Sequence, residues 1–425
     1  MKPKLFETFL IFTTIFVSSI TFFTVPFEGY FHYLIFALFF PFFVARYGFP
    51  KPPFQLLFLP LLFGVFHIFM GDDTVDLFLK IFIGLLLSTT FYFYVFEYYD
   101  MNVEELFRIY IRGCVLVSWI GLFQLISYRI GFKLGYDYGW LFNKWAVIAD
   151  RAGGIRVNSI FAEPVQFAIV IIPSVFVAMN GLFRNDFKFM SRLECVLILL
   201  IVLFTKSSTG YIGIFVIFFL FIINYGHFVN LLIGLGVIAS VSSIIYVYVP
   251  EFHERVDSSV GLWVNEDLSV KNVNSSSFVL YNNFHIAFLS LKHNPIGGSG
   301  LGSHKVAFDI YSLTKNKGVL NFAFNKSDAN SLFLRLMSET GLLGVVFIVM
   351  LLYRCYVRRK DGEEDLPYWM VSNSILVMLI LCLLRQGNYF LNGLPFFFWM
   401  YYYNFKVYGE RSETDSIVPK PIAEA

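Results

Sequence analysis

The sequence predicts an all-α polytopic membrane protein with about twelve spans, and three observations carry that prediction. Of 425 residues, 57% are hydrophobic and only 15% charged, whereas soluble domains carry about a quarter charged. Apolar runs near the roughly 20 residues needed to cross a hydrocarbon core recur along the chain. Between Pro250 and Asn330 those runs stop for roughly eighty residues, an interval that must emerge into water.

Taken in order, the expected spans lie near Leu5–Val25, Tyr30–Val44, Phe54–Met70, Val75–Phe96, Phe107–Tyr128 and Ile160–Met179. The second half adds Leu193–Phe204, Thr209–Ile223, Phe228–Val249, Leu332–Tyr353, Tyr368–Leu384 and Tyr389–Phe405. The large polar interval therefore falls between the ninth and tenth spans. This divides the chain into an N-terminal bundle (1–249), an external loop (250–330), a C-terminal bundle (331–405) and a cytoplasmic tail (406–425) expected to be disordered. Leu5–Val25 is too long for a signal-peptide core and lacks a small-residue cleavage site, so it reads as a retained helix.

Positive charge orients the bundle. Alternate turns carry Arg46 and Lys51, Arg108 and Arg112, Arg184, Lys188 and Arg192, then Arg354, Arg358, Arg359 and Lys360. The opposite turns include Gly71–Thr74, without a cation, and Arg385–Asn388, with one. The positive-inside rule then places both termini in the cytoplasm and the 250–330 loop outside. Arg129, Lys133, Lys144, Arg151 and Arg156 break the pattern, since they occupy an outer loop. Such loops translocate regardless of charge, or these residues form an outward-facing anion site.

Composition also excludes classes. A net charge of +2 without a long basic cluster gives no reason to expect nucleic acid. Cys114, Cys195, Cys355 and Cys382 all lie in or beside apolar segments, so neither a disulfide framework nor a thiolate metal site is implied.

Four stretches carry candidate chemistry. Arg156 precedes a helix, and Glu163-Pro164 falls in its first turns, where proline is tolerated. An interfacial Arg presents a bidentate fork to phosphate, although snorkelling and helix-start chemistry explain the same residues. Thr205–Gly210 is a polar break where Lys206 and the hydroxyls suit a headgroup, or simply form a turn. In His293–His304, glycines at 297, 298, 300 and 302 permit tight turns that expose N–H groups to an anion. That stretch lacks the Gly-Lys-Ser/Thr ending of a nucleotide loop. Finally, Asp328–Gly344 offers Asn330 or Ser331 as a helix cap, and Arg335 and Glu339 on one face. An Arg near the hydrocarbon boundary is expected to face a wet cavity.

In this order the pieces resemble the bacterial O-antigen polymerase and O-antigen ligase superfamily. The resemblance rests on Arg156 with Ile160–Pro164, Thr205–Gly210, Asn294–Gly302, and Asn330–Leu334 with Glu339–Gly344. It implies a GT-C-like, inverting, metal-independent glycosyltransferase without cofactor in the bacterial inner membrane. Donor and acceptor would be undecaprenyl-pyrophosphate-linked glycans, and a chain-length-regulating protein would be a further partner. Arg156 and Arg335 would hold the pyrophosphate, with Lys206 and Arg255 assisting. Gly298, Gly300 and Gly302 would shape the substrate vestibule beside Asn330, and the base would be Glu163, His304 or Asp328.

The chain departs from the superfamily pattern in three places, one being that Ser275–His285 holds no second loop arginine, although Arg255 lies earlier. Ligases carry a His-Asn pair where Asn330-Ser331 stands, which favours a polymerase over a ligase. The Ser-Arg pair usual in the polar turn is Ser207-Ser208, leaving Lys206 as its only cation. Rival readings are a ligase acting on lipid A core, a metal-dependent transferase using Asp72-Asp73, and a flippase or other transporter. Transporters bury charges at mid-span and show internal repeats; here Lys80 is an exceptional charge within a span, and no repeat is visible.

Overall fold

A computed structural model describes residues 5–23, 29–150, 153–185, 188–225, 250–264, 275–314, 325–360 and 367–417, with isolated positions between 236 and 247. The first half comprises α1 (Leu5–Phe16), α2 (Phe31–Tyr47), α3 (Lys51–Met70), α4 (Val75–Tyr98), α5 (Val103–Arg129) and the single turn α6 (Lys133–Tyr136). A two-residue antiparallel ladder, β1 (Ile148–Ala149) with β2 (Ile155–Arg156), leads into α7 (Pro164–Arg184). Then come α8 (Arg192–Phe204), α9 (Ser208–Tyr225), α10 (Pro250–Val264), α11 (Ser275–His293) and α12 (His304–Tyr311). The chain closes with α13 (Leu332–Glu339), α14 (Gly341–Arg354), α15 (Tyr368–Arg385) and α16 (Leu394–Ile417).

Six of the described helices, α3, α4, α5, α7, α9 and α15, are long and apolar enough to cross a membrane; α1, α2 and α14 are apolar but shorter. Phe58, Leu59, Leu62, Phe66 and Phe69 of α3 stand exposed, a contiguous apolar face that suits lipid rather than water. At the other extreme α7 is buried almost throughout, packed by α5, α8, α9 and α15. Helix α4 belongs to a different group, packing on α2, α3 and α16.

Local chemistry sets the boundaries. Asn102 caps α5 through Glu105 N–H (3.0 Å), Ser191 and Glu194 form a capping box on α8, and Ser331 caps α13 through Leu334 N–H (3.2 Å). Several expected spans move for physical reasons. The first ends at Phe16, because Ser18–Thr21 bonds outward: Ser19 Oγ donates to Ile160 O (2.5 Å), and Thr21 pairs with Tyr30. Helix α7 starts at Pro164 rather than near Ile160, since proline pins the first turn and holds Glu163 extended at φ −138°. The expected Leu332–Tyr353 span is broken at Thr340-Gly341, with Gly341 at φ +60°. The 250–330 interval is not simply loop, for it contains α10, α11 and α12. Past Lys406, where disorder was expected, α16 continues to Ile417. The expected ninth span, Phe228–Val249, lies outside the described residues apart from isolated positions, as does Arg151.

The bundle has two distinct ends. At one, Tyr98 bonds Glu7, Arg112 pairs with Glu194 (2.6 Å), Arg108 reaches Lys188 O (3.1 Å) and Arg358 reaches Ile223 O (2.8 Å). This is the Arg/Lys-rich end. The other end gathers Gly71–Thr74, the β1–β2 hairpin, Thr205–Ser207 and residues 295–303, 325–331 and 385–391.

Candidate functional site

At that second end a cavity of about 690 Å³ opens between the α4 group and the α7 group. Its roof is Asn325–Asp328 with Asn330, and Arg385–Asn388. Tyr33, Lys80, Glu163, Gln166 and Arg335 line its walls, and Ile83, Leu87, Val165, Ile169 and Phe390 continue it downward as an apolar trench.

Backbone geometry holds the roof. Asn330 N–H donates to Asp328 Oδ1 (3.1 Å), Asn325 Nδ2 donates to the same oxygen (2.9 Å), and Asn325, Ala329 and Asn330 all take φ +56°. Asn is among the few residues that adopt this conformation readily. Ser331 Oγ donates to Leu383 O (2.6 Å), fastening the loop to α15.

Arg335 is 2% exposed and lies at the cavity edge. Its Nε donates to Glu339 Oε1 (2.8 Å) and Nη1 to Gly387 O (2.9 Å), while the Tyr389 ring stacks 4.3 Å from the guanidinium. Tyr389 Oη donates to Glu339 Oε2 (2.8 Å). Among the described residues no partner is found for Nη2. The guanidinium is thus fixed by three neighbours with one nitrogen left over, a geometry suited to an incoming anion.

Glu163 is exposed and lines the cavity. Enclosure by protein raises its carboxyl above the ordinary value, the Asp328 carboxylate adds to this, and Arg156 opposes it. Glu163 therefore feels the charges of both Asp328 and Arg156. Arg156 itself lies behind the cavity lining, with Nε donating to Thr205 O (3.3 Å). Of the sequence candidates, Glu163, Asp328, Asn330 and Arg335 share the cavity.

The remaining candidates lie elsewhere. Lys206, at φ +47°, pairs with Asp150 outside the lining. Arg255 sits on α10, its side chain outside the described residues. His304 is fully buried. Asn283 Nδ2 donates to Val279 O (2.8 Å), so its Oδ1 faces His304 Nε2 (3.0 Å) and must accept from it; Nδ1 then accepts from Ser338 Oγ (2.9 Å). Burial, with Arg335 nearby, pushes the imidazole down to about 3. Both nitrogens being engaged, His304 ties α11 to α13 and does not face the cavity.

The glycine loop also differs from expectation. Gly298, Gly300 and Gly302 do take positive φ (67°, 101° and 100°), but the N–H groups of residues 298–300 are taken by backbone carbonyls. Ser299 N–H donates to Ser338 O (3.1 Å) and Gly300 N–H to Glu339 O (2.9 Å), while Pro295 O and Ile296 O accept from Leu342 and Leu343 N–H (2.9 and 3.1 Å). The loop supplies the broken α13–α14 helix with the partners its interrupted ladder lacks, as a break at membrane depth requires. A Cβ on Gly298 would stand 2.5 Å from Glu339 C, so glycine is needed for close approach.

On the far side of that loop, His67 Nδ1 meets Asp72 Oδ2 (3.1 Å), and Asp73 Oδ1 accepts from Thr74 N–H (2.7 Å). Among the described residues Asp73 Oδ2 has no partner. Burial pushes the Asp73 carboxyl from an ordinary 3.8 up to about 7, against the pull of the Thr74 N–H. The folded value exceeds the unfolded one, so the native state binds more protons between them and loses stability as pH rises through about 7. Asp73→Asn should remove this slope, melting above the parent at pH 8 and level with it at pH 4 in detergent thermal unfolding.

Sequence reasoning undervalued Lys80, Arg385, Lys326 and Tyr389. A lysine within an apolar span was the available signal for the first; nothing in the chain's order brings Arg385 and Lys326 to this chamber or Tyr389 onto the Arg335 guanidinium.

The sequence model of the O-antigen ligase family matches residues 193–349. That stretch includes Lys206, the glycine loop and the Arg335–Glu339 pair. No curated protein matches the chain. Over residues 193–349, less than half of its length, the chain is similar to the O-antigen ligase family, in keeping with its resemblance to the O-antigen polymerase and ligase superfamily.

Proposed function

We propose that the protein polymerises lipid-linked oligosaccharide repeat units on the outer face of a bacterial inner membrane. The observation that carries this reading is a single chamber with cations, carboxylates and amides at its top and a hydrocarbon-lined trench below. Its end of the bundle lies opposite the Arg/Lys-rich turns, which the positive-inside rule assigns to the cytoplasm. Nucleotide sugars are absent outside, so the bond energy must arrive with the donor, and a lipid diphosphate provides it.

In the proposed step an acceptor sugar hydroxyl oxygen attacks the donor's anomeric carbon as the bond from that carbon to the diphosphate oxygen breaks. The electron pair departs with undecaprenyl diphosphate, and attack from the opposite face inverts the centre. Arg335 Nη2, with Arg385 and Arg156 adding positive field, stabilises the leaving charge. Glu163 or Asp328 receives the hydroxyl proton; the raised Glu163 value brings it towards working pH. The step needs no metal, since guanidinium groups neutralise the diphosphate. Asn330 supports polymerase over ligase, because the ligase histidine is not at that position.

Glycan profiles of a deletion strain complemented with variants test this. Loss of polymerase leaves core plus one unit, whereas loss of ligase strips glycan from the core. Arg156→Ala should abolish long chains while single units persist. Unchanged chain length removes Arg156 from the mechanism.

A further inference from the structure

Lys80 sits in the sixth position of α4, flanked by Leu79, Ile81, Phe82 and Ile83. At 1.5 Å per residue it lies about 7–8 Å below the helix start. A lysine there must reach the interface or face a wet space. It is exposed, it lines the cavity, and among the described residues it has no ion-pair or hydrogen-bond partner. The other three cavity cations are differently placed: Arg335 is clamped by Glu339 and Gly387, Lys326 pairs with Asp309, and Arg385 stands at the end of α15 in the roof.

Lys80 also marks where the chamber changes character. Above it lie Glu163, Asp328, Arg385 and the roof amides; beside and below it lie Ile83, Gly84 and Leu87 of the same helix, facing Val165 and Ile169 of α7. From Lys80 to Leu87 the trench follows α4 for about 10 Å. Ile83 is 48% exposed while also lining the chamber, a placement that fits a side opening of the trench along α4. A lone cation at the junction of a polar chamber and an apolar side opening matches a ligand with an anionic head and a hydrocarbon tail.

We infer that Lys80 is a phosphate-binding residue of a lateral portal, receiving the headgroup of a polyprenyl diphosphate that enters sideways from the bilayer along α4 while its tail lies in the Ile83–Leu87 trench. The inference rests on the lipid-linked-glycan reading above and adds to it a route of entry and a second anion contact distinct from Arg335.

The test is equilibrium binding of polyprenyl diphosphate to the purified full-length protein in detergent, with inorganic pyrophosphate and polyprenyl alcohol as separate ligands. Lys80→Gln should weaken polyprenyl diphosphate binding about tenfold or more, the loss expected for one charge-assisted bond, and Lys80→Arg should retain it. Ile83→Trp, which fills the side opening without touching the charge, should slow association of the lipid and leave pyrophosphate binding unchanged. Polyprenyl alcohol binding should not respond to Lys80→Gln. Equal binding by parent and Lys80→Gln overturns the role of Lys80 while leaving the transferase reading intact. Pyrophosphate binding as tightly as the lipid overturns lateral entry, and failure of the parent to bind polyprenyl diphosphate overturns both readings. Neutral residues insert more readily than lysine into a span, and Lys80→Arg supplies a second, charge-retaining measurement.

Discussion

Arg335→Ala is expected to destabilise the protein by about 3–5 kcal/mol, because it leaves a buried carboxylate without its cation. Glu339 is buried, and its oxygens are held by Arg335 Nε and Tyr389 Oη. Removing the guanidinium also releases Gly387 O, which links α13 to the roof. Loss of long glycan in this variant would therefore not separate a folding role from a chemical one. The double variant Arg335→Met with Glu339→Gln does so. It removes both charges, keeps an acceptor for Tyr389, and should recover most of the melting temperature lost by the single variant. If Arg335 acts on the leaving diphosphate, chain extension stays abolished in the recovered protein. Restored chain length would assign the residue to structure alone. Arg335→Lys keeps charge but not the fork that reaches Glu339 and Gly387 together, so it should fall between the parent and the alanine variant.

Gly387→Ala carries the second large effect. A Cβ there would lie 1.4 Å from Asp328 O and 3.1 Å from Ser331 N. Both neighbours are backbone, so one of the two roof segments must move bodily. That shift parts 385–388 from 328–331, carrying Asp328 and the Gly387 O–Arg335 bond with it. Overpacking of this kind costs about 1–3 kcal/mol, and a displacement of about 1 Å at a reacting centre lowers rate about a hundredfold. We expect a folded protein with a lowered melting point and near-complete loss of chain extension, read by thermal unfolding and glycan profiling together. Gly409→Ala is the matched control. Nothing lies within 4 Å of a Cβ at Gly409, so that exchange should be neutral or slightly stabilising. Parent-like activity in Gly387→Ala would mean that roof geometry does not govern transfer.

Individual residues show how much of the site the chain announced. Arg335 and Glu339 were legible as a pair because helical spacing puts residues four apart on one face, and an arginine at a membrane boundary needs a wet neighbour or a partner. Glu163-Pro164 was legible as a helix start, although its precise cap position depended on how proline restricts the residue before it. The glycine cluster was legible as tight turns and misleading as to purpose. Its N–H groups serve carbonyls some forty residues later in the chain, a pairing no local pattern can announce. His304 likewise reads as a base in sequence and becomes a neutral strut once Asn283 and Ser338 close on it.

Hydrophobic run length, charge asymmetry between turns and the order of the motifs determined by themselves that this is a helical membrane protein resembling the O-antigen ligase and polymerase superfamily. Each depends on neighbours within one helical segment or on bulk transfer into hydrocarbon, so each is written in the linear chain. Tertiary structure alone decided that a span breaks at Thr340-Gly341, that loop 295–300 completes its backbone pairing, and that Lys80, Glu163, Asp328, Arg335 and Arg385 meet around one chamber. Those outcomes depend on contacts between segments tens to hundreds of residues apart, where packing and hydrogen-bond satisfaction choose among arrangements that local propensity leaves equivalent.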